Sequence, residues 1–275
     1  MVELKKHDRL TQNIAVFLSH TPHTSMGRKA GEYFFSSMIE AMRDENRRLD
    51  VISERQKTFP DFIEAFGHDD APLDVFAIAD IARRKGYQAF LVARIMSLYS
   101  ESAENGFFWW RKSRHYLTVA VSVDVYDPFT AAKMISRVKD KRFTISSAEY
   151  FDFFEDESAT IEIKKLTKAL IKMAESLGEA VAEFLADQPW KTTVLRVDGS
   201  DVILADGGRS GFKLKDRLDI YKGRRIIEGL NGQKYIVPGY KEGQIEITAM
   251  EGRFVRARVL GQFDIQEGDM AVASK

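Results

Sequence analysis

The chain has 275 residues, 44% of them hydrophobic, enough for a sizeable core in one or two domains. Lysine plus arginine and aspartate plus glutamate both total 41, which excludes a whole-molecule field of one sign that would draw the protein to nucleic acid or anionic lipid. Cysteine is absent, excluding disulfides and thiolate metal sites while leaving the redox compartment open.

The first apolar run, Ile14 to Leu18, is too short for a signal-peptide core or a membrane span, and no later run reaches about 18 residues, so no transmembrane segment is expected. Met1 fits a native start as well as one added where a targeting segment was cut away. Ile14–Leu18 reads as a strand, followed by a polar loop and a helix over 26–46. In that helix Ala30, Phe34, Met38, Ile39 and Met42 recur at three- and four-residue spacings, so one face packs on a sheet. A second strand covers Leu49–Ile52, and a second helix runs from Leu73 to Lys85, stopped by Gly86 as a glycine C-cap stops it.

The third strand, Gln88–Tyr99, is apolar on both alternating sets, which predicts a central strand covered on both faces. Leu117–Val125 alternates strictly, with valines on one face and Thr118, Ala120, Ser122 and Asp124 on a wetter one. Asp127-Pro-Phe-Thr130 is a turn, and a meander continues to about Ser146. A last long helix over 159–187 carries Ile163, Leu166, Leu170, Ala174, Leu177, Val181 and Phe184 in one stripe and ends at Gln188-Pro189. Beyond Trp190 short β-type segments alternate with glycines, which predicts a small barrel. Within it Leu214–Tyr221 and Ile265–Val272 look alike, each placing an acidic turn before a strand, and are expected to pair as opening and closing strands. The expected fold is an α/β (α+β) domain at 1–188, with a mixed sheet and two long helices, followed by an all-β barrel-like domain at 189–275.

Several residues carry a resemblance. Ile14-Ala-Val, Ser53-Glu54-Arg55, Gly86, Asp127 and Thr130 match the motifs of the envelope-assembly family that includes curli-export lipoproteins and the middle domain of flagellar assembly protein T. Residues 11–187 resemble that domain throughout. Departures are Ala131 where the turn normally carries glycine, Gln88 for an aspartate, and Ala93 for a glycine. Residues 191–275 resemble the C-terminal β domain of the same flagellar proteins through Gly208-Arg-Ser-Gly211, Leu214-Lys-Asp216, Asp219-Ile-Tyr221 and Gly268-Asp269. The resemblance implies a periplasmic or envelope-associated binding and assembly protein, with envelope or flagellar basal-body proteins as partners and a homo-oligomer allowed. Curli-type relatives extend two hairpins into a membrane, but the corresponding segments here, 99–106 and 147–157, lack the apolar outer face of a spanning strand.

Independently of any family, Phe107, Phe108, Trp109 and Trp110 follow an Asn-Gly turn and precede Arg111. At a hairpin tip they cannot all face one core, so they either anchor a partner or fold back to cap the sheet. A groove between the domains near Trp190 is the second expected interface. His20 and His23 have no carboxylate to complete a metal site, and Thr24 and Ser25 serve as helix caps. Gly207–Gly211 lacks the lysine of a phosphate loop, and the acids at 152–157 read as solvated helix charges. Arg256 and Arg258 oppose Val255, Ala257 and Val259, the pattern of a half-buried strand. The function expected is a non-enzymatic scaffold without catalytic residue, cofactor or metal. Two rivals stand beside it: a nucleic-acid-binding protein using the barrel, and a hydrolase with a site between the domains.

Overall fold

The computed structural model describes residues 10–18, 25–53, 73–105, 112–155, 164–205, 210–222, 224–252 and 254–273. Its first half is built on β1 (Gln12–Leu18), α1 (Ser25–Glu45), β2 (Leu49–Ser53), α2 (Val75–Arg84) and β3 (Ala89–Asn105). β1 pairs in parallel with both β2 and β3, Ile14 lying opposite Val51 and Val16 opposite Leu91. Parallel neighbours need long crossovers, and α1 and α2 lie within those connections. β4 (Lys112–Asp127) and β5 (Ala132–Ile145) then return antiparallel, so the mixed sheet has the order β2-β1-β3-β4-β5.

The helical spacings place the core. Ala30, Phe34, Met38, Ile39 and Met42 of α1 are buried against Ile14, Val16, Leu91 and the valines of β4, together with Leu166, Leu170, Leu177 and Val181 of α4 (Lys164–Ala186). Each large side chain buried there contributes roughly 2 kcal/mol. Phe184, expected in the stripe, is half-buried, and Leu185 takes the inward position one i+4 step after Val181. Gly178 sets how closely the two helices pack, because a β-carbon there would lie 2.6 Å from the Met38 carbonyl oxygen. On the opposite face α2 packs on Phe17, Phe90, Val92 and Tyr126. Asp74 caps α2 by accepting from the Ala77 N–H at 3.0 Å, and Gly86, at φ +80°, follows its end.

Two elements depart from the sequence reading. β3 is covered on both faces only as far as Ile95, because a bulge between Ile95 and Ser97 shifts the alternation. Leu98 is thereby turned to the helix side, while Met96, expected inside, is 58% exposed and Tyr99 50%. Between β5 and α4 lies a short helix, α3 (Ser147–Glu155), where no separate element is expected. A reciprocal cap starts it. The Ser146 N–H donates to Glu149 Oε2 at 2.7 Å and the Glu149 N–H donates to Ser146 Oγ at 3.2 Å. The bond from the Ser146 backbone is the main reason that the Glu149 carboxyl is held below its ordinary pKa.

The barrel closes through β11-β12-β7-β6-β13-β8. Its strands are β6 (Lys191–Asp198), β7 (Asp201–Ala205), β8 (Arg217–Tyr221), β11 (Lys241–Glu251), β12 (Phe254–Leu260) and β13 (Met270–Ala273). They fall into two copies of one unit, β6-β7-β8 and β11-β12-β13, related by a constant shift of 53 positions (247 − 194 = 53). Val194 opposite Leu204, followed by a bulge, corresponds to Ile247 opposite Ala257, followed by a bulge. The pairs Thr192–Ala271 and Ile245–Leu218 correspond in the same way. The turn before each third strand is also shared: Asp216 Oδ2 accepts from the Lys213 N–H and Asp269 Oδ2 from the Gln266 N–H, both at 2.8 Å. The two look-alike segments do pair, Leu218 opposite Ala273 and Ile220 opposite Ala271, although β6 and not β8 opens the barrel.

The two copies differ in what joins them. Between β8 and β11 the chain inserts a ribbon of β9 (Arg224–Glu228) and β10 (Lys234–Pro238), connected through a 3-10 turn at Leu230–Gly232. It reaches back to the sheet, where the Ile236 N–H donates to the Thr130 carbonyl at 2.9 Å.

Candidate interaction surfaces

The Asp127–Thr130 turn is shaped by its own side chains and then used as a joint. Asp127 Oδ1 accepts from the Phe129 N–H at 2.9 Å, and its Oδ2 pairs with Lys191 Nζ at 2.9 Å, at the first residue of β6. Lys191 Nζ also lies 5.7 Å from the centre of the Phe129 ring. Gln88, noted as a departure from the family pattern, donates through Nε2 to the Lys191 carbonyl at 3.1 Å and accepts through Oε1 from the Asn13 N–H. Ala131, standing where glycine is usual, has φ +56°. Asp127 and Gln88 therefore bind the sheet to the barrel.

Trp190 belongs to the same joint. Its indole is 2% exposed, packs edge-on against Phe212 with centroids 4.5 Å apart, and donates from Nε1 to the Thr11 carbonyl at 3.1 Å. Thr11 in turn donates to the Ser210 carbonyl, and Leu10 packs in the barrel core. The indole expected at an open groove is an internal wedge instead, because a large ring with one N–H is most stable where the ring is dry and the N–H is paired. The cleft beside it, lined by Gln12, Arg48, Gln188 and Trp190, holds only about 30 Å³.

A second surface lies on the outer face of the sheet, beyond the reach of α2. Asp124 is its centre. Its carboxylate receives Ser136 Oγ at 2.6 Å, Arg94 Nη1 at 2.8 Å and Lys133 Nζ at 2.9 Å. Burial alone would raise the Asp124 pKa, but the hydrogen bonds from Ser136 and Lys133 and the two cationic charges outweigh it and hold the carboxyl below its ordinary value. Further along the same face Arg142 stacks 4.1 Å above the Tyr116 ring and pairs with Glu101 at 2.7 Å. Between these two polar groups Met96, Tyr99 and Val138 stand 58%, 50% and 56% exposed. An apolar strip rimmed by fixed charges is the composition of a binding surface.

Phe107, Phe108, Trp109, Trp110 and Arg111 lie outside the described residues, in the connection between Asn105 and Lys112, which pair with each other. His20, His23 and 207–209 also lie outside them. In the barrel Arg256 is paired with Glu251 at 3.0 Å, and Arg258 lies 3.8 Å from Asp201, so these cations face acids of the same domain. Among the described residues no group of three or more acidic or histidine side chains is placed to hold a metal ion, and no helix is long and apolar enough to cross a membrane. Sequence reasoning missed Met96, Tyr99 and Val138. The wet face of β4 was legible, but the β3 bulge that turns Tyr99 outward was not.

No protein-family model and no curated protein matches the chain. Solved structures similar to it include a PelC dodecamer from Paraburkholderia phytofirmans, at 16% identity and TM-score 0.32, covering 65% of this chain and 89% of that one. Lipoprotein GNA1162 from Neisseria meningitidis matches at 13% identity and TM-score 0.32, over 64% of this chain and 99% of that one. A minor lipoprotein from Acinetobacter baumannii matches at 7% identity and TM-score 0.29, over 64% of this chain and 92% of that one. At such identities and scores these likenesses carry no argument about site or partner.

Proposed function

We propose that the protein is a non-enzymatic assembly or scaffold protein of the bacterial envelope, binding a partner protein through the outer face of its sheet. The observation that supports it is the strip of Met96, Tyr99 and Val138, left open beside the Asp124 and Arg142 groups on one continuous strand surface. A flat, rigid face with apolar centre and charged rim suits a macromolecular partner rather than a small molecule, which needs a concave site. The aromatic residues 107–110, in the segment between β3 and β4, extend this reading from the sequence alone. The envelope address, and within it the flagellar basal body, is inherited from the sequence resemblance.

Capture from an envelope extract tests it, with the wild type compared to a Met96→Asp/Tyr99→Asp/Val138→Asp variant and to a Phe107→Ser/Trp109→Ser/Trp110→Ser variant. Circular dichroism first establishes that all three fold alike. The expected result is a discrete set of envelope proteins held by the wild type and lost by the first variant. Equal capture by both, or none by either, removes the outer face from the reading.

A further inference from the structure

The strand β5 (Ala132–Ile145) is the outer edge of the sheet and, among the described residues, pairs with β4 alone. Its register runs unbroken from Ile135, opposite Val125, to Ile145, opposite His115, with no proline and no bulge in that stretch. An antiparallel strand turns alternate residues' N–H and C=O groups to its free side, so this edge is a template for another strand. Lys165 occupies one of its carbonyls near the end, donating to Thr144 O at 2.7 Å.

Charge says what kind of strand fits. β5 carries Lys133, Arg137, Lys139, Lys141 and Arg142 against one acid, Asp140, in a chain whose charges as a whole balance at 41 each. Lys133 is taken by Asp124, Arg142 by Glu101 and Lys139 by Ser176. Arg137 and Lys141 are exposed and carry no ion pair among the described residues. They lie opposite Val123 and Val119, so they share one side of the strand, four positions apart with Lys139 between them. A second copy of β5 would bring the same cations face to face, and like charges across a ladder repel. Acidic side chains at alternate positions of an incoming strand would meet Arg137 and Lys141 instead.

We propose that β5 is a docking edge that receives an extended acidic segment of a partner protein as a sixth strand. Backbone hydrogen bonds supply the attachment and the edge cations select the sequence. The proposal rests on the binding-protein reading but uses a different surface, so each can fail without the other.

The probe is a short fluorescent peptide of alternating valine and glutamate, titrated against the purified protein by anisotropy, with hydrogen exchange reporting which amides are protected. Three controls accompany it: the valine–lysine peptide, the valine–glutamate peptide N-methylated at alternate residues, and the Arg137→Glu/Lys141→Glu protein. The wild type is expected to bind the acidic peptide with slowed exchange across 132–145. Loss of about tenfold or more in affinity is expected on N-methylation and on charge reversal, with the reversed protein gaining the lysine peptide. An Arg137→Ala/Lys141→Ala protein keeps the test valid if the reversal unfolds the chain. Equal binding of acidic and basic peptides, indifference to N-methylation, or protection elsewhere overturns the proposal and leaves the edge charges as a guard against aggregation. Peptide binding retained by the Met96→Asp/Tyr99→Asp variant shows that the edge acts independently of the outer face, while its loss there overturns the assignment to β5.

Discussion

The two halves of the barrel share registers, bulges and turns, yet over 191–220 and 244–273 they are identical only at Gly199/Gly252, Val202/Val255, Gly208/Gly261 and Asp216/Asp269. What they have in common is burial pattern. Val194, Val202, Leu204, Leu218 and Ile220 of the first half and Ile247, Val255, Ala257, Ala271 and Ala273 of the second all point into one core. The larger residues of the first half stand against the alanines of the second across the pseudo-two-fold axis, so volume is conserved between halves rather than within each. The ends of the halves show the same exchange. Trp190 fills the first, with Ser210 near it, whereas the equivalent positions of the second are Gly243 and Phe263, whose ring would lie 2.4 Å from a β-carbon on Gly243. A backbone can be repeated with little shared sequence when the core alternation and one acidic turn persist.

The asymmetry can be broken most strongly at Trp190. Trp190→Ala is expected to cost about 3 to 5 kcal/mol, by cavity formation and loss of the joint to Thr11, read as a lower denaturant midpoint. Outside the barrel, Asp124→Ala is expected to cost about 2 to 3 kcal/mol, since it leaves Arg94 and Lys133 without their carboxylate. The sign with pH follows from its lowered folded pKa. Asp124 contributes stability that is fully present above the ordinary carboxylate range and is lost as pH falls through the folded value. Urea midpoints from pH 7 to 2 should therefore fall less steeply for Asp124→Ala than for the wild type.

The shared turns offer a sharper test of equivalence. Asp216→Ala and Asp269→Ala should each cost about 1 to 2 kcal/mol, and similar values from both would establish that the two turns do the same work. Smaller effects of opposite sign are expected one residue earlier. Lys215 has φ +71° and Gly268 φ +88°, a region that side chains enter at a cost. Lys215→Gly should raise the melting temperature and Gly268→Ala lower it, each by the equivalent of about 1 kcal/mol.

Much of the fold was legible because it rests on local periodicity. The α1 stripe, the alternation of Leu117–Val125, the stop at Gly86 and the likeness of the Asp216 and Asp269 turns were all visible in residue spacing. The capping pair Ser146 and Glu149 was visible too, yet α3 was passed over because its alternation with phenylalanines resembled a loop approaching a helix. The candidate site was less legible. Met96 read as interior because its parity with Phe90 was carried into a bulge that no residue type announces. Trp190 read as marking an interface groove between the domains because an aromatic residue after a proline gives no sign of what packs on it.

The sequence by itself determined the long helices α1 and α4, the strands β1 to β4 and, up to the bulge in β3, which side of each is apolar, since these follow from the chain's own period and caps. Only the tertiary structure decided that Asp127, Gln88 and Trp190 join sheet to barrel, and that the β9–β10 ribbon reaches Thr130. It also decided that β5 is left as an open basic edge. Those outcomes depend on which distant surfaces meet, through pairs separated by scores of residues, and spacing along the chain carries no record of such pairs.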